Sequence, residues 1–207
     1  MTSLSRPLVD AFSEVVEALN KLDYESDDEA VNEIASLIER VDEKHVESLL
    51  RILRMDFGEA SRLFGTRLLK RIVSEALASI TPLKQSEAEE LIETGRVREA
   101  LRKRSRVLID RKLSISQVYT GILEVCRVSG KGSIGSKAGE LASLLNKSSE
   151  EEAVFIVGML INGSRRISDR LLIRALEKAF NTRLEDALGS GEFYERVKRL
   201  VEECKTK

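Results

Sequence analysis

Apolar residues recur three and four positions apart along almost the whole chain, and no stretch alternates apolar and polar residues over strand length. Leu8, Phe12, Val15, Val16 and Leu19 make one such stripe. Ser26 with Glu29 forms a capping box ahead of a second, through Val31, Ile34, Leu37 and Ile38. Asp42 opens a third, carrying Val46, Leu49, Leu50 and Leu53, and Thr66 precedes a strongly apolar fourth through Leu68, Leu69, Ile72, Val73 and Ala76. Further stripes run near 86–93 and 96–109, then from a Ser114–Gln117 capping box through Val118, Ile122 and Val125, then near 134–146, 149–161, 168–180 and 192–203. The spacing predicts an all-α fold of about ten to twelve helices.

Composition fits that reading. A third of the 207 residues are charged, Gly and Pro are scarce, and there is no Trp, which favours long amphipathic helices over a sandwich or barrel. No apolar run approaches the roughly 20 residues that span a bilayer, and the N-terminus has no signal-peptide pattern. Cys126 and Cys204 form neither a metal spacing nor a disulfide framework, so a reducing cytoplasm is the expected compartment, with association to the nucleoid if the protein holds DNA. Abundant Glu, Lys and Arg with few Asn and Gln point to a thermophile.

The formal net charge is −1, but it is unevenly spread. Residues 1–47 hold thirteen acids against four bases, whereas residues 96–137 hold eleven bases against three acids. A solvated helix face accounts for a charge run, and so does a polyanion-binding segment. The basic run contains Ser129-Gly130-Lys131-Gly132-Ser133-Ile134-Gly135-Ser136-Lys137, whose glycines fit a dinucleotide fingerprint and nearly imitate a P-loop. Both motifs need a strand in front of the loop, and here Ser116–Val128 reads as a helix. The loop can therefore offer N–H groups to a phosphate, and no nucleotide cofactor or metal is expected.

A weak internal repeat organises the chain. Arg67-Leu68-Leu69-Lys70-Arg71 lines up with Arg170-Leu171-Leu172-Ile173-Arg174, and Ala76 with Ala179. Each copy follows an acid-capped apolar helix and precedes a glycine, Gly95 or Gly191. Chance likeness among helices competes with duplication; the matching order predicts a single helical domain with internal halves at about 8–105 and 114–204.

Catalytic patterns are missing. His45 sits among Glu43, Lys44 and Glu47 and reads as a surface histidine. Neither cysteine has a nucleophile context, and no calcium loop, H-E-x-x-H or complete P-loop occurs. Three basic constellations remain: Gly130, Lys131, Gly132, Ser133 and Lys137; Arg165, Arg166 and Arg170 around a helix start at Ser168; and Arg62, Arg67, Lys70 and Arg71 around another. Helix N-termini flanked by Lys and Arg suit a phosphate backbone, and the shortage of aromatics argues against single-strand stacking. Duplex nucleic acid held by its backbone is the expected polyanion.

These residues resemble a known family. Ser114-Ile115-Ser116-Gln117-Val118-Tyr119, Val128-Ser129-Gly130-Lys131-Gly132-Ser133 and the Leu-Ala-x-Leu-Leu of 141–145 are similar to the T-V-x-x-V-Y, S-G-x-G-S and L-A-x-L-L pattern of the N-terminal DNA-binding domain of archaeal and eukaryotic ATP-dependent DNA ligases. The likeness continues through Glu152–Leu160, Gly163–Ile167 and Leu171–Leu176, and more loosely through Leu49–Phe57 and Gly65–Val73. It implies an all-helical, pseudo-twofold module that grips duplex DNA, nicked DNA included, through the minor groove for a separate catalytic core. It also implies backbone contacts by Gly130–Ser133 and Arg165-Arg166. Two departures stand out: the turn at Ile167-Ser168-Asp169 is about two residues shorter than in the family, and the Lys-x-Asp-Gly nucleophile motif of ligases is missing, Lys21-Leu22-Asp23-Tyr24 being its nearest approach. The expectation is thus a free-standing, non-catalytic duplex DNA-binding protein with little sequence preference, acting in repair, replication or chromatin organisation. The alternatives are a protein-interaction adaptor that has lost DNA binding and a truncated ligase fragment.

Overall fold

The apolar stripes fold as helices, and the starts of several are fixed by a capping side chain. In a computed structural model, residues 9–22, 26–104, 112–127, 133–163, 167–184 and 193–205 are described. They form α1 (Phe12–Lys21), α2 (Asp27–Arg40), α3 (Glu43–Arg54), a 3₁₀ helix (Gly58–Leu63), α4 (Arg67–Ile80), α5 (Gln85–Glu93), α6 (Val97–Arg102), α7 (Ile115–Arg127), α8 (Ser133–Lys147), α9 (Glu150–Asn162), α10 (Asp169–Phe180) and α11 (Phe193–Lys205). No strand occurs among the described residues, so the fold is all-α. Helix α6 stops at Arg102 rather than running to 109. Ser26 and Ser149 close full capping boxes with Glu29 and Glu152, and Thr66 and Ser168 accept the backbone N–H groups of Leu69 and Leu171.

The helices pack in crossed pairs. α4 lies on α8 and α10 on α2; α3 packs against α7 and α9 against α1; α6 packs on α9 and α11 on α3. Each of these six pairs joins an element from the first 105 residues to one from the rest, while α4 also packs on α5 and α7 on α8 within their own parts. Exchanging α1, α2, α3, α4 and α6 for α7, α8, α9, α10 and α11 turns each pair into another pair on this roster. Near the centre of this arrangement the segments entering α1 and α7 run antiparallel, the Phe12 N–H donating to the Leu113 carbonyl at 2.8 Å and the Ile115 N–H to the Asp10 carbonyl at 3.3 Å. One contiguous apolar core runs from Val9 to Val201. No helix among the described residues is long and apolar enough to cross a membrane.

His45 and Leu68 differ from the sequence reading. His45 is 5 % exposed rather than on the surface; its Nδ1 lies 2.6 Å from the Ser116 hydroxyl on α7, and its Nε2 meets the Asp10 carboxylate. The acids around it in sequence point elsewhere on the helix, while its own side chain enters the α3–α7 contact. Leu68, counted with the apolar stripe of α4, is 41 % exposed and is the large hydrophobic residue that stands out of the core among those described.

Candidate nucleic-acid interface

The segments leading into α4 and α10 touch. Gly65 has φ +74° and donates its N–H to the Leu160 carbonyl near the end of α9 at 2.8 Å. Gly163, the left-handed C-cap of α9 at φ +60°, sits so close that a β-carbon on it would lie 3.1 Å from the carbonyl carbon and oxygen of Phe64. The start of α10 is seated on the first half in a matching way: Arg54, at the end of α3, brings its Nε 3.5 Å from the Asp169 carboxylate. Ile167 lines a small cavity with Ile52, Leu53 and Met55. Each of these two helix starts therefore rests on the C-terminal end of a helix from the opposite part of the chain.

Charge at the start of α4 differs from that at the starts of α2 and α9. Helices α2 and α9 open on three acids each, which offset the positive end of the helix dipole. The first turn of α4 has no acid; Arg67, Lys70 and Arg71 occupy it and the turn that follows. All three are exposed, as are Arg62 at the end of the 3₁₀ helix and Arg170 in α10, and none of the five lies within ion-pair distance of a carboxylate among the described residues. Cations at a helix N-terminus oppose the dipole, so α4 presents N–H groups and positive side chains with no internal anion to receive them.

The glycine loop is only partly on view. Gly130, Lys131 and Gly132 lie outside the described residues, as do Arg165 and Arg166. Ser133 begins α8, and a β-carbon on Gly135 would come 3.4 Å from Glu75, which brings the start of α8 against the middle of α4. Lys137 differs from its expected role as an exposed point charge. It is 6 % exposed and donates from Nζ to the Cys126 carbonyl at 3.3 Å, where it ties the end of α7 to the start of α8. Burial pushes the Cys126 thiol up to about 11, so it stays protonated and is no nucleophile.

Much of the basic run of 96–137 is neutralised internally. Arg96 pairs with Glu99, Arg98 with Glu150 and Glu151, and Arg102 with Glu150, while Arg104 donates to the Leu145 and Ser148 carbonyls. The acids that pair across the chain come from the N-terminus of α9, about fifty residues away in sequence. Acidic α2 in turn receives Arg174 of α10 on Asp28 at 2.5 Å. A cluster that the sequence did not disclose braces α11: Arg51 lies 4.0 Å from the centre of the Tyr194 ring, Arg54 donates to the Tyr194 hydroxyl at 3.2 Å, and that hydroxyl donates to Asp56 at 2.5 Å. Burial alone would raise the Asp56 carboxyl, but the Tyr194 hydroxyl, the Gly58 N–H and the two arginines hold it below its ordinary value. Among the described residues no three His, Cys, Asp or Glu side chains converge as metal ligands.

The family model of the DNA ligase N terminus matches residues 11–176. A DNA ligase of Pyrobaculum arsenaticum is 29% identical over 190 residues, covering 84% of this chain and 32% of its own length. One from Pyrobaculum neutrophilum is 35% identical over 124 residues, covering 55% of this chain and 21% of its own. One from Caldivirga maquilingensis is 30% identical over 158 residues, covering 69% and 26%. The chain spans about a third or less of the length of these relatives. The expectation of a protein that is not an enzyme is corrected by these matches, because the relatives are named for an enzymatic activity and the chain corresponds to their N-terminal part.

Proposed function

This chain belongs to the DNA ligase N-terminus family, and from that premise we propose that it grips duplex DNA by its sugar–phosphate backbone in the service of strand joining. The observation that carries the reading is the start of α4. Arg67, Lys70 and Arg71 crowd the positive end of α4, where α2 and α9 each carry three acids. A cation cluster there costs folding stability and gains it back only when an external anion docks.

Arg62 and Arg170 extend the same charge across the Gly65–Gly163 contact, so the entries to α4 and α10 would take phosphates on one surface. The glycine loop Gly130–Ser133 and Arg165-Arg166 belong to the proposed contact set by family likeness. The crossed helix pairs support two halves, about 8–105 and 114–204, that embrace the duplex together. Contacts of this kind fix the protein on the duplex without reading bases, which suits a nick of any sequence in replication or repair. Lys137 is left out of the contact set, since its ammonium group is spent on Cys126.

Fluorescence anisotropy with nicked, intact and single-stranded DNA tests the reading. The expected order is duplex at least as tight as single strand, with affinity falling steeply as salt rises. Binding that is flat in salt, or that favours single strands, overturns it.

A further inference from the structure

Among the described residues, the one large hydrophobic side chain that leaves the core stands inside the basic patch. Leu68 is flanked by Arg67, Lys70 and Arg71 and lines the mouth of a groove of about 630 Å³ between α4 and α5. The far wall of that groove carries Glu89 and Glu93. Glu89 is held in place by Gln85 at 3.0 Å and by the Ser74 hydroxyl at 3.3 Å. The groove is thus divided by charge, cationic along α4 and anionic along α5. A phosphate strand is confined to the α4 side.

Arg67 and Arg71 are one turn apart, a rise of about 6 Å. Each strand of a duplex offers a phosphate about every 3.4 Å of axis. Two cations so spaced take nearby phosphates of one strand, and what lies between phosphates is the sugar. The apolar face of a sugar is its ring carbons, and in deoxyribose C2′ is a methylene. Leu68 lies to one side of this pair, three residues before Arg71 and so its neighbour on the helix surface, and offers an apolar surface at a height between the two cations.

We propose that Leu68 is a specificity-determining residue that packs on a deoxyribose of the bound strand and selects DNA over RNA by denying a 2′-hydroxyl any hydrogen-bond partner. The inference rests on the duplex-binding reading above and deepens it. A hydroxyl pressed on an apolar side chain loses its water without compensation, which is worth about tenfold in affinity.

The test uses the purified full chain, a short DNA duplex, and the two RNA–DNA hybrids of the same sequence. Leu68→Ser and Leu68→Met are compared with wild type, and folding is checked by circular dichroism, which an exposed position leaves unchanged. Wild type and Leu68→Met are expected to prefer the DNA duplex by about tenfold over at least one hybrid, with the preference collapsing to near unity in Leu68→Ser. Groove shape alone would leave the preference of Leu68→Ser intact, and that result overturns the proposal. A wild-type chain that binds DNA and both hybrids equally overturns it too, while leaving duplex binding standing. A chain that binds no duplex at all removes both.

Discussion

Gly163 and Phe64 meet backbone to backbone: a β-carbon on Gly163 would stand 3.1 Å from the Phe64 carbonyl carbon and oxygen, and the glycine holds φ +60°. Both facts exclude a side chain, because the left-handed conformation is costly for other residues and a carbonyl cannot rotate aside as a flexible side chain does. This contact joins the approaches to α4 and α10. Gly163→Ala is expected to destabilise the fold by about 2 kcal/mol, a fall in Tm of several degrees by thermal melt. A melt unchanged from wild type contradicts the contact.

Gly158 is the opposite case. It lies within α9, lines a cavity of about 60 Å³ with Leu19, Phe155 and Ile167, and a β-carbon there would meet no atom within 4 Å. Gly158→Ala adds helix propensity and fills space without a clash. The expected gain is about 1 kcal/mol by chemical denaturation.

Arg67 should show function and stability pulling apart. As the first residue of α4 it opposes the helix dipole, so Arg67→Glu is expected to raise stability by about 0.5 kcal/mol while weakening duplex binding. Paired melts and binding titrations on the same protein check this. A variant that loses both stability and binding points to a structural role for the arginine.

Asp56 and Tyr194 set a pH dependence. The Asp56 carboxyl titrates below its ordinary 3.8 in the folded protein, so its contribution to stability is present above that value and is lost as pH falls through the folded one. Burial and the adjacent Asp56 carboxylate hold the Tyr194 phenol well above its usual value, so it remains a donor across the working range. Tyr194→Phe is expected to lower Tm at neutral pH, and the gap to wild type should narrow as the solution is acidified below about pH 4. A gap that stays constant with pH places the loss in packing and not in the hydrogen bond.

The local chemistry of the fold was legible in the sequence. Ser26, Asp42, Thr66, Ser114 and Ser168 are caps because their side chains bond N–H groups two or three residues ahead, a relation contained within one turn. The free cations of α4 were legible for the same reason. What the sequence could not disclose depends on distant partners. His45 is buried because Ser116, 71 residues on, packs beside it. The arginines of α6 are silenced by acids of α9, and Lys137 is drawn inward by a carbonyl of the preceding helix. The repeat is read differently by two signals: burial pairs Leu69 with Leu172, as the residue pattern does, whereas the caps pair Thr66 with Ser168, one residue out of step. Helix α10 thus starts one residue earlier relative to its buried face, which leaves room for Asp169 to meet Arg54.

The most direct test of duplex gripping by the paired helix starts is the salt dependence of binding to nicked duplex for wild type and for Arg67→Gln/Lys70→Gln/Arg170→Gln. Each phosphate neutralised contributes about −0.9 to the slope of log affinity against log salt. The account predicts that the triple variant keeps its fold and loses two to three units of slope, about one for each cation removed. An unchanged slope in a folded triple variant contradicts it.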